Sequence, residues 1–322
     1  MSLPKVVVCG AGFLGKYIAK EIAASTTSRS IQVSSRQPQH IHEILSGEGI
    51  AKDRLLLPIT IDVTNRDTLR LAFENASVVV SLVGVMHGSP QDFDNIQWRG
   101  AENVAIVAKE VGAKVIHFSA IGADPQSHIP YVRTKGLGEK AVLDVCPDAT
   151  IIRPSLVFGP GDDFFNRFAR LTKYMPFLPV FGGGKSLFQP VFVGDIARLV
   201  EIASRRDSQI SEDLDGKVVE AGGPKIYSYR ELMELVLRST GRWRPILSLP
   251  FSFGKVQGAI LERLPTNIFT VTKSQVDQLQ LDNIVASRAD MPLNHLSLED
   301  VITKYSKTPL HKVEEVLPTY LQ

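Results

Sequence analysis

The stretch VVVCGAGFLG, residues 6–15, runs straight into KYIAKEIA, residues 16–23. A short apolar run reads as a buried strand. Gly10, Gly12 and Gly15 then form a G-x-G-x-x-G turn that opens a helix. That order is the geometry of a dinucleotide site. The first glycine permits the tight turn, the second lets a pyrophosphate reach the backbone, and the third lets helix and strand pack closely. The phosphates then rest on the helix N-terminus. A purely structural glycine turn is the alternative, and the strand–turn–helix context argues against it.

Outward from this motif, strand and helix patterns alternate. The strand candidates are 5–9, 31–35, 55–61, 77–83, 114–119 and 149–153, each short, apolar and rich in β-branched residues. The helical candidates between them are 13–24, 39–46, 66–74, 92–110 and 131–145. In 92–110, Phe93, Ile96, Ala101, Val104, Ala105 and Ala108 share one face. Such alternation over about 150 residues predicts an α/β fold: a Rossmann-type doubly wound parallel sheet with helices on both faces. Residues 1–158 form the nucleotide-binding domain, completed by a strand and helix within 186–204. Residues 159–185 and 205–322 form a smaller, mainly helical substrate or lid region, with helical patterns at 227–241, 250–265, 272–281 and 296–305.

Composition narrows the partners. Of 322 residues, 36 are basic and 34 acidic, for a net charge of +2, which argues against a nucleic-acid binder. Two cysteines, Cys9 and Cys146, without metal-ligand spacing, suit a reducing compartment. No metal site is expected; His40 and His42 are the nearest approach to one. The longest apolar run, VVVSLVGVM at 78–86, is too short to cross a bilayer. No targeting segment is visible before the first strand, near Lys5.

Three positions speak to the cofactor's chemistry. Arg36 ends the second strand (QVSSR), where NAD-specific sites usually place a carboxylate for the ribose hydroxyls. A guanidinium there suits a 2′-phosphate, so NADP(H) is expected and NAD(H) is the alternative, with Ser34 and Ser35 as further donors. Asp62, ending ITID, either meets the adenine amino group or caps the next helix. In YVRTK, Tyr131 and Lys135 share a helix face. A neighbouring ammonium stabilises a phenolate, which would make Tyr131 a usable acid/base group.

Together these blocks resemble the extended short-chain dehydrogenase/reductase family. YVRTKGLGEKAV, IIRPSLVFGPGDDFFNRFA, FQPVFVGDIA, GGPKIYSYRELMELV and TKSQVDQLQLDNIV are similar to its atypical branch. That branch holds the nicotinamide-binding accessory subunit of respiratory complex I and a fungal mitochondrial protein of ubiquinone biosynthesis. The resemblance spans about residues 5 to 320. It implies that Gly10, Gly12, Phe13, Leu14 and Gly15 line the pyrophosphate, and that Arg36 takes the 2′-phosphate. Asp62 and Val63 would meet adenine, and Leu82, Val83 and Gly84 the adenosine ribose. Ser119, Tyr131 and Lys135 would approach the nicotinamide half as the catalytic set, with Pro154, Ser155 and Val157 closing over it. It also implies a mitochondrial location, on the matrix side of the inner membrane, with the cytoplasm as alternative. The partners implied are a respiratory-chain or quinone-biosynthesis complex.

Two departures from the family matter. Cys9 stands where glycine is usual. In HFSAIGAD the hydroxyl slot of an active reductase falls on Ala120 or Ile121, beyond Ser119. The expected function is therefore an accessory component that holds its cofactor structurally. The alternatives are an active NADP-dependent oxidoreductase on a hydrophobic or quinone-like substrate, and a redox sensor. Elsewhere, Asp162 and Asp163 are expected to cap a helix, and His117 to be a satisfied core histidine. His87 is a substrate-contact candidate. Arg170, Lys173 and Tyr174 either greet a ligand or face water. The apolar stripe Phe253, Val256, Ile260, Leu261 and Leu264 is expected to pack on the body, with a peripheral membrane contact as its alternative.

Overall fold

The computed structural model of the protein describes residues 3–26, 28–86, 88–252 and 273–321. His87 and the stripe from Phe253 to Leu264 lie outside them. The first half runs β1 (Lys5–Cys9), α1 (Phe13–Ala24), β2 (Ser30–Ser35), α2 (Gln39–Gly47), β3 (Ile59–Thr60), α3 (Arg66–Phe73), β4 (Ala76–Ser81) and α4 (Pro90–Asp92). A π-helical segment, Phe93–Arg99, leads into α5 (Gly100–Glu110), β5 (Lys114–Phe118), α6 (Pro130–Val145) and β6 (Thr150–Pro154). Then come β7 (Val157–Phe158), α7 (Phe164–Tyr174), β8 (Leu178–Phe181), β9 (Leu187–Phe188), β10 (Val191–Phe192), α8 (Val193–Ala203) and α9 (Ser208–Leu214). They are followed by β11 (Val218–Ala221), β12 (Tyr227–Ser228), α10 (Tyr229–Ser239), β13 (Ile246–Leu249) and, after the helix Lys273–Gln278, β14 (His295–Ser297).

Eight strands form one parallel sheet in the order β14-β11-β6-β5-β4-β1-β2-β3. The order reverses between β1 and β4, so the crevice at their carboxyl ends is where such a sheet takes a ligand. Its strands carry apolar residues on both faces because helices cover both. Val6, Val8, Val78, Val80 and Ile116 pack under α1 and α8; Val7, Val79, Val115 and Ile151 pack under α3, α5 and α6. A third core, around Phe158, Phe165, Leu178, Leu232 and Val236, belongs to the region after β6.

Four expectations change. The strand expected at 55–61 shrinks to β3 plus a lone bridge from Leu55 to Ile31, because Pro58 has no N–H to lend and Leu57 is 80% exposed. The single helix expected at 92–110 forms without a break but carries the π segment inside it. Its wider turn buries Gln97 and leaves Ile96 only half-buried, so the apolar face read from a 3.6-residue period slips there. The strand expected to complete the sheet within 186–204 is β10, which ladders with β7 outside it, whereas α8 does pack on α1. Finally, two strands of the sheet, β11 and β14, come from the C-terminal region and extend it beyond β6.

A buried ion pair pins α8 to the end of α1. The Arg29 guanidinium meets the Glu201 carboxylate, and both side chains are almost fully buried. Arg29 also donates to the Glu201 carbonyl and to Ser204 Oγ, while Ser25 Oγ donates to Glu201. Glu201→Ala leaves the guanidinium buried without its counter-ion. The expected cost is about 3–5 kcal/mol, read as a lowered urea midpoint with an unchanged slope.

Candidate functional site

The glycine turn sits at the reversal point of the sheet. Gly10 N donates to Ser34 O at 2.8 Å, and Leu82 N donates to Cys9 O at 2.9 Å, so the turn is held between the ends of β2 and β4. A Cβ on Gly15 would stand 2.0 Å from the Gly10 carbonyl oxygen: only glycine permits this approach of α1 to the turn. A Cβ on Gly12 would meet nothing within 4 Å, which leaves open space over the helix start. Gly12 is the N-cap of α1, with no side chain capping it and no acid in the first turn. Uncapped amides facing open space at the positive end of a helix fit a pyrophosphate. Cys9 keeps its place in the ladder, paired with Ser34 and Ser81, and burial pushes its thiol up to about 12.

Around the turn, Phe13 and Leu14 are half-buried, and a Cβ on Gly161, in the loop after β7, would stand 3.8 Å from the Phe13 ring. Tyr17 OH donates to Pro160 O at 3.0 Å. Arg36 is exposed directly after β2. Ser34, expected as a further donor beside it, is buried and instead accepts from Gln32 Nε2 at 2.9 Å; Ser35 Oγ accepts from Gln37 N at 3.2 Å. Asp62 is exposed and accepts from Thr64 N and Oγ1 at 2.9 and 2.8 Å, while the cap of α3 is Asn65. The capping alternative for Asp62 therefore passes to Asn65. Val63 O accepts from Asn103.

On the other side of β4, Lys135 of α6 reaches the chain after β4 at Val83 and Gly84 and the end of β5 at Phe118, one residue before Ser119. Lys135 Nζ donates to Val83 O at 3.0 Å and to Phe118 O at 2.9 Å, bridging the ends of β4 and β5. A Cβ on Gly84 would stand 3.1 Å from that ammonium nitrogen. Burial lowers the Lys135 ammonium to about 8, partly offset by Glu139. Tyr131 is half-buried with its ring edge-on to Phe93, and burial pushes its phenol up to about 12. The expected lowering of the phenol by Lys135 is thus absent from the balance: desolvation sets it. Ser119 is buried and its Oγ has no partner; Ala120 and Ile121 follow it without hydroxyls.

Sequence reasoning missed Gln97. Its Nε2 donates to Thr134 Oγ1 at 2.9 Å, and its Oε1 accepts from Val85 N at 3.1 Å. This one amide clips the loop after β4 to the start of α6. Its signal in the sequence was a glutamine within an apolar helical face, concealed by the π turn. Asn283 was missed as well. Ser155 Oγ donates to its backbone and side-chain oxygens at 2.7 and 2.6 Å, so Ser155, one residue past Pro154 and β6, is tied to the C-terminal chain. Val157, in β7, is half-buried.

The remaining candidates resolve by contact. Asp162 accepts from Phe165 N at 2.6 Å and from Tyr320 OH at 2.5 Å: it caps α7, while Asp163 makes no side-chain cap. Arg170, Lys173 and Tyr174 are exposed. Among the described residues no group of three metal-ligating side chains assembles, at His40 and His42 or elsewhere. No helix among them is long and apolar enough to cross a membrane. His117 is only half satisfied. Nδ1 lies 3.1 Å from Ser81 Oγ, and the buried Nε2 has no partner.

The sheet order and the phosphate-ready turn define a nicotinamide-dinucleotide-binding fold, and residues 6–215 match the NAD dependent epimerase/dehydratase family, to which this chain belongs. Its relatives include the mitochondrial NADH dehydrogenase (ubiquinone) 1 alpha subcomplex subunit 9 of Arabidopsis thaliana, 29% identical over 90% of this chain and 71% of that one. The same subunit of Rattus norvegicus is 28% identical over 94% and 77%. The mitochondrial NADH-ubiquinone oxidoreductase 40 kDa subunit of Neurospora crassa is 27% identical over 78% and 64%. Among solved structures, the Citrobacter sp. triphenylmethane reductase complexed with NADP(H) shares the fold with a TM-score of 0.70 at 16% identity, covering 98% of this chain and 100% of that one. The Streptomyces venezuelae dTDP-glucose 4,6-dehydratase DesIV with NAD bound does so at 0.70 and 15%, covering 98% and 95%.

Burial lowers the His117 imidazole to about 3, with Lys135 adding to the effect. The unfolded chain then binds a proton below about pH 6.5 that the folded chain refuses until about pH 3, so stability falls as pH drops through that window. His117→Gln should flatten this acid limb in urea titrations. An unchanged limb would assign the loss to other groups.

Proposed function

We propose that this chain is an NADP(H)-holding accessory protein of a mitochondrial respiratory assembly, in which the dinucleotide serves the fold. The observation that carries this reading is the contrast between the two halves of the site. The phosphate half is open and uncapped at Gly12. The acid/base half is neither open nor poised: Lys135 is committed to Val83 O and Phe118 O, Tyr131 holds its proton to about 12, and Ala120 and Ile121 offer no hydroxyl.

In this reading Gly10, Gly12, Phe13, Leu14 and Gly15 would hold the pyrophosphate, and Arg36 the 2′-phosphate. Asp62 and Val63 would flank adenine, with Leu82, Val83 and Gly84 beside the ribose, and Pro154 and Ser155 beyond the nicotinamide. The cofactor would supply hydride chemistry when bound. The chain's own groups orient it and stabilise the folded state by mass action. The relatives support a respiratory NADH dehydrogenase assembly over ubiquinone biosynthesis, and they support a mitochondrial location.

Purified protein should retain NADPH, melt at a higher temperature with it, and leave its absorbance at 340 nm unchanged when a short-chain quinone or a carbonyl compound is added. Steady oxidation would establish the oxidoreductase instead. Arg36→Asp should weaken NADPH binding by about tenfold or more, from the loss of charged hydrogen bonds, and NADH binding far less. Equal losses by calorimetry would remove Arg36 from the 2′-phosphate.

A further inference from the structure

A second feature of the molecule uses no residue of the dinucleotide site. Where α10 ends and the chain turns toward β13, a cleft of about 580 Å³ is lined by Arg230, Arg238, Arg242 and Arg244, with Leu237 and Ile246 as apolar wall. Among the described residues of the lining the one acid is Glu234, and it lies 3.7 Å from Arg230. Two of the guanidinium groups are held in place. Arg242 Nη1 donates to Thr172 Oγ1 at 3.2 Å. Arg244 donates through Nε to Met175 O at 3.1 Å and through Nη1 to Trp243 O at 2.8 Å. Trp243, in the lining, is 82% exposed.

Large aromatic side chains left this open cost solvation without helping the fold. Arginine, tryptophan and tyrosine are the side chains that anchor protein interfaces. Planar guanidinium forks held by backbone carbonyls and a hydroxyl are pre-organised to receive carboxylates, and so lose little freedom on binding. Four guanidinium groups against one carboxylate among the described lining residues favour a ligand that carries carboxylates, and forks already held by backbone favour side chains projecting from a chain. From the charge excess, the fixed forks and the exposed indole, we infer that this cleft is a docking site for an acidic segment of a partner protein, one carrying Asp or Glu beside an apolar anchor. The inference stands apart from the cofactor reading, since the two sites share no residue.

The test uses the full chain with NADPH present and a fluorescein-labelled peptide of glutamates bearing one phenylalanine. Anisotropy should rise on titration at low salt, and the affinity should fall steadily as sodium chloride is added. Arg238 and Trp243 have exposed side chains, so the double variant Arg238→Glu, Trp243→Ala should fold and bind NADPH as before while losing at least tenfold in peptide affinity. Arg238→Glu alone should lose part of that. The inference is overturned if the wild type ignores the peptide, or if the variants bind it as well as the wild type. It is also overturned if phosphatidylcholine vesicles containing phosphatidylglycerol are bound through Arg238 and Trp243 while the peptide is not. Loss of peptide binding with NADPH binding intact supports it, whatever becomes of the structural-cofactor reading.

Discussion

The structure depends on how closely α1 approaches the end of β1. The Gly15 backbone lies so near the Gly10 carbonyl that no side chain fits between them. This contact aims the helix axis at the crevice between β1 and β4 and delivers its uncapped amides there. The rest follows from holding that aim. Arg29 and Glu201 tie the far end of α1 to α8, and Tyr17 ties its near end to the loop after β7. A displaced α1 would still be a helix, but its N-terminal field would no longer converge on the crevice.

Much of the fold was legible because parallel strands covered on both faces announce themselves as runs of valine and isoleucine, and glycine turns punctuate them. What stayed hidden had physical causes. Pro58 removed a ladder donor from an apolar run that otherwise read as a full strand. The π turn at Phe93–Arg99 changed the period of a helix with no glycine or proline inside the turn itself, and so concealed that Gln97 faces inward. β11 and β14 were missed as members of the sheet because pairing across such sequence distances leaves no local pattern. For the site, the turn glycines and the Tyr131–Lys135 pair were readable from spacing. The partners that decide their chemistry, Val83 O and Phe118 O, are backbone atoms and have no signature in a sequence.

The two halves of the site have different electrostatic characters. On the phosphate side, polar groups are presented to open space. Under α6, polar groups are buried and turned inward: Lys135 onto carbonyls, Gln97 onto Thr134 and Val85, His117 onto Ser81. Two buried atoms there, His117 Nε2 and Ser119 Oγ, lack partners. A region that tolerates such desolvation is braced by its other hydrogen bonds. Its hydrogen bonds tie the ends of β4 and β5 to the helices above them.

The position of β14 has a consequence for how the molecule is made. Its three residues, His295–Ser297, supply the outermost rung beside β11, some seventy residues further along the chain. During synthesis, Val218–Ala221 therefore leaves the ribosome long before its neighbour does. Until then it presents bare N–H and C=O groups along one margin, the kind of surface that invites pairing with a stranger. When β14 arrives, its pairing with Val218, Val219 and Glu220 closes that margin of the sheet.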